Sequence, residues 1–246
     1  MTAPPPRLFV LTATGSDAAI VLRRGPADWV AAIGWDRATD RFGDAHWLKA
    51  RLYENRADIS PDGRWWVYFA LKGLRPYTVV AETPRLTASV FLPQCGTYGG
   101  GGRFDASGRL RILNDALDPV PWPPILPPRT MDDVPDPLLL RGWSEERRGG
   151  YSYFSKRFKG DWWLQRSCQI PSRASKVADR LGYRLYHPKT ETAGPRPFWG
   201  WADILDGRLF YAAEGCLWSA RPHGDGKEVD VRCIKDFSQM RPDPRP

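Results

Sequence analysis

Ser60-Pro61-Asp62-Gly63-Arg64-Trp65-Trp66-Val67-Tyr68 writes a turn and the strand that leaves it. Pro61 pre-sets its own φ, and the Asp62 side chain can bond the backbone just downstream. Gly63 accepts a positive φ at no steric cost, and the aromatic and branched residues that follow suit a pleated surface. Looser copies of this corner recur along the chain. They read Gly15-Ser16-Asp17, Ser107-Gly108-Arg109-Leu110, Gly160-Asp161-Trp162-Trp163 and Asp206-Gly207-Arg208-Leu209. The glycines at 15, 63, 108, 160 and 207 stand 48, 45, 52 and 47 residues apart. A period of about 40–50 residues made mostly of strand is the signature of β-propeller blades.

Between the corners the chain reads as short strands at 7–13, 18–24, 29–35, 45–53, 65–71, 78–81, 110–113, 162–166, 184–187, 209–213 and 216–220. Asp40-Arg41-Phe42-Gly43, Lys72-Gly73 and Glu214-Gly215 read as turns between them. The expected fold is therefore all-β: one irregular propeller-like domain over 1–246 with about five blades. The first strand is expected beside 216–220, closing the ring. Eight prolines at 119, 121, 123, 124, 127, 128, 135 and 137 interrupt the strand pattern, so 117–143 is expected as a loop or insertion, and 241–246 as a loose tail. A short helix is expected at 172–181, with Ser172 as cap and Gly182 as stop.

The 246 residues carry a net charge of +8 and are 42% hydrophobic, which suits a chain with a substantial core. No apolar run is long enough to span a membrane, and the start has no apolar signal core, so a cytoplasmic address is expected. Cys95, Cys168, Cys216 and Cys233 lie far apart in sequence and form no zinc-type spacing. They read as thiols, and no metal or cofactor is expected.

Several fragments together resemble a family of soluble bacterial proteins of uncharacterised activity. They are Arg23-Arg24-Gly25-Pro26, Arg51-Leu52-Tyr53-Glu54, Asp58-Ile59-Ser60-Pro61-Asp62-Gly63, Gly99-Gly100-Gly101-Gly102, Trp201-Ala202-Asp203 and Asp236-Phe237. The corner at 60–68 also resembles blades of TolB-like and WD40-like propellers. That resemblance implies a propeller fold with a binding or scaffolding role and transfers no site residue. Trp35-Asp36 lacks the Gly-His that precedes it in a WD40 blade.

Three motifs invite chemistry. The run Gly96-Thr97-Tyr98-Gly99-Gly100-Gly101-Gly102-Arg103 lacks the Gly-Lys-Ser/Thr ending of a phosphate loop. It reads as backbone packed closely against a neighbour, with a substrate-shaping loop as the alternative. Arg51, Glu54, Arg56 and Asp58 mix charges at a strand end. They read as a structural ion-pair cluster, with ligand positioning or proton transfer as the alternative. There is no Gly-x-Ser-x-Gly elbow, and the imidazoles are His46, His187 and His223. A hydrolase with a pocket near the glycine run is a further alternative, which a deep polar pocket gathering His46, Glu54 and Asp58 would favour.

The charge map singles out another region. Residues 144–189 hold eleven basic and four acidic side chains, so they carry +7 of the +8. Tyr151, Tyr153, Phe154, Phe158, Trp162 and Trp163 are interleaved there with Arg147, Arg148, Lys156, Arg157 and Lys159. Such a surface recruits partners through charge and ring faces. The expected contact residues are Arg147, Arg148, Tyr151, Tyr153, Lys156 and Arg157. The expected role is a non-catalytic scaffold that binds a protein, with a nucleic-acid accessory as the alternative. The twelve tryptophans, Trp47, Trp65, Trp66, Trp199, Trp201 and Trp218 among them, read as fillers of blade interfaces.

Overall fold

A computed structural model describes residues 4–25, 28–97, 99–112, 136–169, 182–189, 194–196 and 199–242. The helix expected at 172–181, most of the proline-rich stretch and the last four residues of the expected tail lie outside them. The chain is all-β and its sheets have a β-propeller arrangement. The first sheet runs β1 (Arg7–Thr12), β2 (Ala18–Arg24), β3 (Trp29–Asp36) and β4 (Arg41–Lys49). The second runs β5 (Arg51–Ile59), β6 (Trp65–Lys72), β7 (Arg75–Glu82) and β8 (Val90–Pro93). A two-stranded ribbon follows, β9 (Gly102–Phe104) with β10 (Leu110–Ile112), and then a one-turn helix, α1 (Pro137–Leu140). The next sheet has five strands: β11 (Ser144–Arg148), β12 (Tyr151–Lys159), β13 (Trp162–Gln169), β14 (Gly182–Tyr186) and β15 (Gly194–Arg196). The last has β16 (Trp201–Leu205), β17 (Arg208–Ala213), β18 (Cys216–Pro222) and β19 (Glu228–Asp236). In every sheet the order in space is the order in sequence, the antiparallel meander of a blade.

Every one of the five corners closes a hairpin. Four close the first hairpin of their sheet, and Gly160 closes the second of the five-stranded sheet, whose first is closed by Gly149-Gly150. Four full blades are described, with the ribbon at the position of the third repeat. Three other expectations need correction. The strand expected at 45–53 is two strands of different sheets, because the chain crosses from one to the other at buried Ala50. The turn expected at 40–43 falls earlier, ending at Asp40 with its φ of 53°. The first strand pairs with β2, not with β18, whose two sides are occupied by β17 and β19. Strand β19 escaped the reading although Glu228-Val229-Asp230-Val231-Arg232-Cys233 alternates polar and apolar residues; at the sheet edge neither set is buried.

The chain divides into two compact units, Phe9–Leu140 with Met240–Pro246, and Met1–Leu8 with Arg141–Gln239. In the first, corner chemistry explains the repeat. The Trp65 amide donates to Ser60 Oγ at 2.9 Å and the Arg64 amide to Asp62 Oδ1 at 3.0 Å. Gly15 needs no positive φ; its amide donates to the Pro61 carbonyl of the next corner at 2.9 Å. A Cβ on Gly63 would sit 2.3 Å from the Ala18 Cβ, so consecutive corners nest against one another. The ribbon repeats the device: Asp105 Oδ1 accepts from the Ser107 and Arg109 amides, both at 3.0 Å. Val67, Val80, Val90, Leu92, Phe104, Leu110 and Ile112 bury the ribbon against the second sheet. Strands β2, β3, β6 and β7 are buried on both faces over most of their length, which explains their nearly continuous apolar sequences.

Candidate macromolecule-binding face

Strand β12 alternates between core and solvent. Ser152, Phe154 and Phe158 are buried, while Tyr151 and Arg157 are exposed. Register extends that division across the sheet. Tyr153 stands opposite Glu146 and Ser167, and Tyr151 opposite Arg148. Arg157 stands opposite Trp163, which stands opposite Tyr186. Tyr151, Tyr153, Arg148, Arg157 and Trp163 therefore share the outward face. On it the Arg148 guanidinium lies 4.8 Å from the Tyr153 ring centre and Arg157 5.9 Å from Trp163. Arg184 lies 5.3 Å from Tyr186, and Tyr151 and Tyr153 are tilted rings 6.2 Å apart. Beneath this layer, Arg184 Nε donates to Gln165 Oε1 at 2.7 Å and Gln165 Nε2 to Ser155 Oγ at 3.1 Å. That chain fixes the spacing of three strands.

The six expected contact residues do not form one surface. Arg148, Tyr151, Tyr153 and Arg157 share the outward face. Arg147 and Lys156 stand on the other, where Phe154, Leu164 and Leu185 form the core. Arg147 reaches solvent because β11 is an edge strand, and it makes a two-point contact with Glu145 at 2.8 and 3.2 Å. Lys156 is turned inward. Its ammonium donates to Asp203 Oδ1 at 2.8 Å, lies 5.9 Å from the Trp143 ring, and is 17% exposed. The same carboxylate accepts from Trp143 Nε1 at 3.1 Å and the Ile204 amide at 2.7 Å. Burial raises the Asp203 carboxyl above its ordinary range, opposed by Lys156 and the Ile204 amide. Sequence reading left Tyr186 out and kept Arg184 as mere charge. The alternation Tyr183-Arg184-Leu185-Tyr186, buried and half-buried in turn, is the signal that brings both into the sheet. Trp162, by contrast, is covered by Gly226, where a Cβ would come within 2.5 Å of the indole.

The charge cluster of β5 disperses into separate contacts. Glu54 takes both hydrogen bonds of Arg24 NH1, at 2.9 and 2.8 Å. Exposed Arg51 stacks 4.8 Å from the Tyr53 ring. Arg56 NH1 donates to the Thr97 and Gly99 carbonyls at 2.6 and 2.7 Å. Buried Asp58 accepts the Phe104 amide at 2.9 Å. These contacts splice the second sheet to its neighbours and anchor the glycine run. At Gly100, with φ of 95°, a Cβ would lie 2.2 Å from the Phe69 ring; at Gly101, 2.2 Å from the Arg56 carbonyl oxygen. The run is glycine because backbone packs there against Phe69 and Arg56.

Among the described residues, no group of three or more His, Cys, Asp or Glu is arranged to hold a metal ion, and no helix is long and apolar enough to cross a membrane. No protein-family model matches the chain, and no curated protein sequence matches it. Solved structures similar to it include the β-propeller domain of the Trilobed protease from Pyrococcus furiosus. That likeness is 8% identical and covers 95% of this chain and 100% of that one, with a TM-score of 0.34. Kuenenia stuttgartiensis hydrazine synthase is 8% identical over 90% of this chain and 78% of that one, with a TM-score of 0.34. An acylaminoacyl peptidase is 12% identical over 94% of this chain and 52% of that one, with a TM-score of 0.33.

Proposed function

We propose that the chain is a non-catalytic binding module whose outward β11–β14 face engages an acidic surface of a partner protein. One observation carries this reading: Arg148, Tyr151, Tyr153, Arg157 and Trp163 occupy one face of one sheet, with guanidinium groups against rings. Aromatic and arginine side chains are those enriched where proteins bury one another. The acids alongside favour a protein over a phosphate backbone. Arg148 lies 3.9 Å from Glu146 and Arg157 3.7 Å from Asp161, which reduces the free charge that counterion release exploits. Glu54 and Asp58 are occupied in holding strands together, which favours binding over the hydrolase alternative. The likeness of the 60–68 corner to TolB-like and WD40-like blades agrees with a scaffold role.

The test is capture by the tagged full chain at two salt concentrations, with and without nuclease. Alongside it runs a Tyr151→Ala plus Arg157→Ala variant. The expected result is a defined protein that survives nuclease and is lost with the variant. Capture abolished by nuclease, with single-strand affinity that falls steeply with salt, would transfer the face to nucleic acid. Equal capture by both proteins would remove the face from the function.

A further inference from the structure

Strands β18 and β19 pair Cys216 with Asp236 and Trp218 with Cys233. In a regular strand Cys233 and Asp236, three positions apart, would point to opposite faces. The ladder shifts register between Leu217 and Trp218, so that Lys235 and Cys233 stand opposite consecutive residues and Ile234 is the extra one. The bulge thus turns Cys233 onto the face that carries Cys216, Trp218 and Asp236. Cys233 is the diagonal neighbour of Cys216 across the two strands, and Asp236 stands directly opposite Cys216. Cys233 is exposed and Cys216 half-buried, and neither is bridged. Burial first, then the neighbouring thiol and carboxylate, pushes Cys216 up to about 12, so it rests as a protonated thiol.

We propose that Cys216 and Cys233 are a reversible oxidation site at which a hydroperoxide closes a disulfide between β18 and β19. Exposure makes Cys233 the residue that meets the oxidant. Its thiolate attacks the terminal peroxide oxygen. The S–O bond forms, the O–O bond breaks, and the alkoxide or hydroxide leaves and is protonated by water. Cys233 is now a sulfenic acid, and the peroxide has taken two electrons. The Cys216 sulfur attacks the Cys233 sulfur as its proton passes to the Asp236 carboxylate. The S–S bond forms and the S–O bond breaks. The departing hydroxide takes the proton from Asp236 and leaves as water. Two thiols and one hydroperoxide give one disulfide, one alcohol and one water; hydrogen peroxide gives two waters. A dithiol reverses the change by exchange. The product staples β19, the exposed edge of its sheet, to β18.

The test is peptide mass spectrometry of the full chain, reduced and then exposed to hydrogen peroxide at slight molar excess before free thiols are alkylated. The expected product links the Cys216 and Cys233 peptides, lighter by two hydrogens, and disappears with dithiothreitol. In Cys216→Ser the link is absent and Cys233 is trapped as a sulfenic adduct by dimedone. Exposed Cys95 reports that oxidant reached the protein. Oxidised Cys95 beside fully alkylatable Cys216 and Cys233 would overturn the proposal. Cross-links scattered among all four cysteines would overturn it equally.

Discussion

Strands β5 and β12 both mix arginines, aromatic rings and acids, and they use them in opposite ways. On β5 Glu54, Arg56 and Asp58 reach across to other segments: Glu54 to Arg24, Arg56 to the glycine run, Asp58 to the ribbon. On β12 the outward side chains stay within their own sheet, Arg157 on Trp163 and Tyr153 under Arg148. The difference teaches that residue type alone does not separate a joint from a docking face. What separates them is whether the partner lies on another segment, and therefore what the fold loses when the side chain goes. Within β12 the division falls between neighbours: Lys156 enters a buried ion pair, and Arg157 faces water.

The largest expected effect breaks the inward half of that division. Asp203→Ala leaves Lys156 and Trp143 Nε1 without their shared acceptor in a site where the carboxylate is 3% exposed. Removing one member of such a pair costs about 3–5 kcal/mol, a fall of roughly 10 °C in melting temperature for a chain this size. Lys156→Met with Asp203→Leu should recover most of that loss, because it removes both desolvated charges. Calorimetry of the three proteins checks it. A parent-like Asp203→Ala would mean that the inward half of β12 is as free as the outward half.

Next comes the joint made by β5. Gly100→Ala places a Cβ inside the Phe69 ring contact at a φ of 95°, at a cost of about 2 kcal/mol. Gly73→Ala, at a φ of 60° with open space around it, is the control and costs about 1 kcal/mol. Urea midpoints that rank the two the other way would show that the glycine run is not packed as a joint.

The corners were legible because their chemistry is local: Ser60, Asp62 and Gly63 bond within a few residues, and so do Asp105 and Ser107. The fold class followed from their spacing. What escaped were pairings decided at a distance. The break at Ala50 is invisible because the alternation Leu48-Lys49-Ala50-Arg51-Leu52 continues through it. Strand β19 alternates in sequence over 228–233 yet buries neither set, since it is an edge held by β18. The candidate face was half legible, because charge and rings were read as a run in sequence. Strand parity then sent Lys156 inward, and Tyr186 was recruited from β14.

A smaller effect compares two aspartates by pH. Partial burial would raise the Asp105 carboxyl, but hydrogen bonds from Ser107 and Arg109 outweigh it and hold it at about 2. Its folded value lies below its unfolded value of about 3.9. Its stabilisation is therefore complete above the unfolded value and is lost as pH falls toward 2. Asp203 has the opposite sign: its carboxyl is raised in the fold, so its contribution declines as pH rises through the folded value. Asp105→Asn should melt below the parent at pH 5 and converge with it near pH 2. A gap that persisted at pH 2 would assign the loss to geometry and not to charge.

The smallest expected effect on stability belongs to the outward face, and its smallness sharpens the comparison. Tyr151 is 40% exposed and the Arg157 side chain 66%. Arg157 keeps one hydrogen bond to the Gly160 carbonyl at 2.8 Å, inside its own hairpin. Exposed pairs of this kind contribute little, so Tyr151→Ala and Arg157→Ala should each stay within about 0.5 kcal/mol of the parent. The paired variant should stay within about 1 kcal/mol, because the residues stand far enough apart on the face to act independently. If either single change instead cost as much as Gly100→Ala, the rings and guanidinium groups of β12 would be holding the sheet together, as those of β5 do. Near-parental melting together with lost capture is the combination that only a docking face produces.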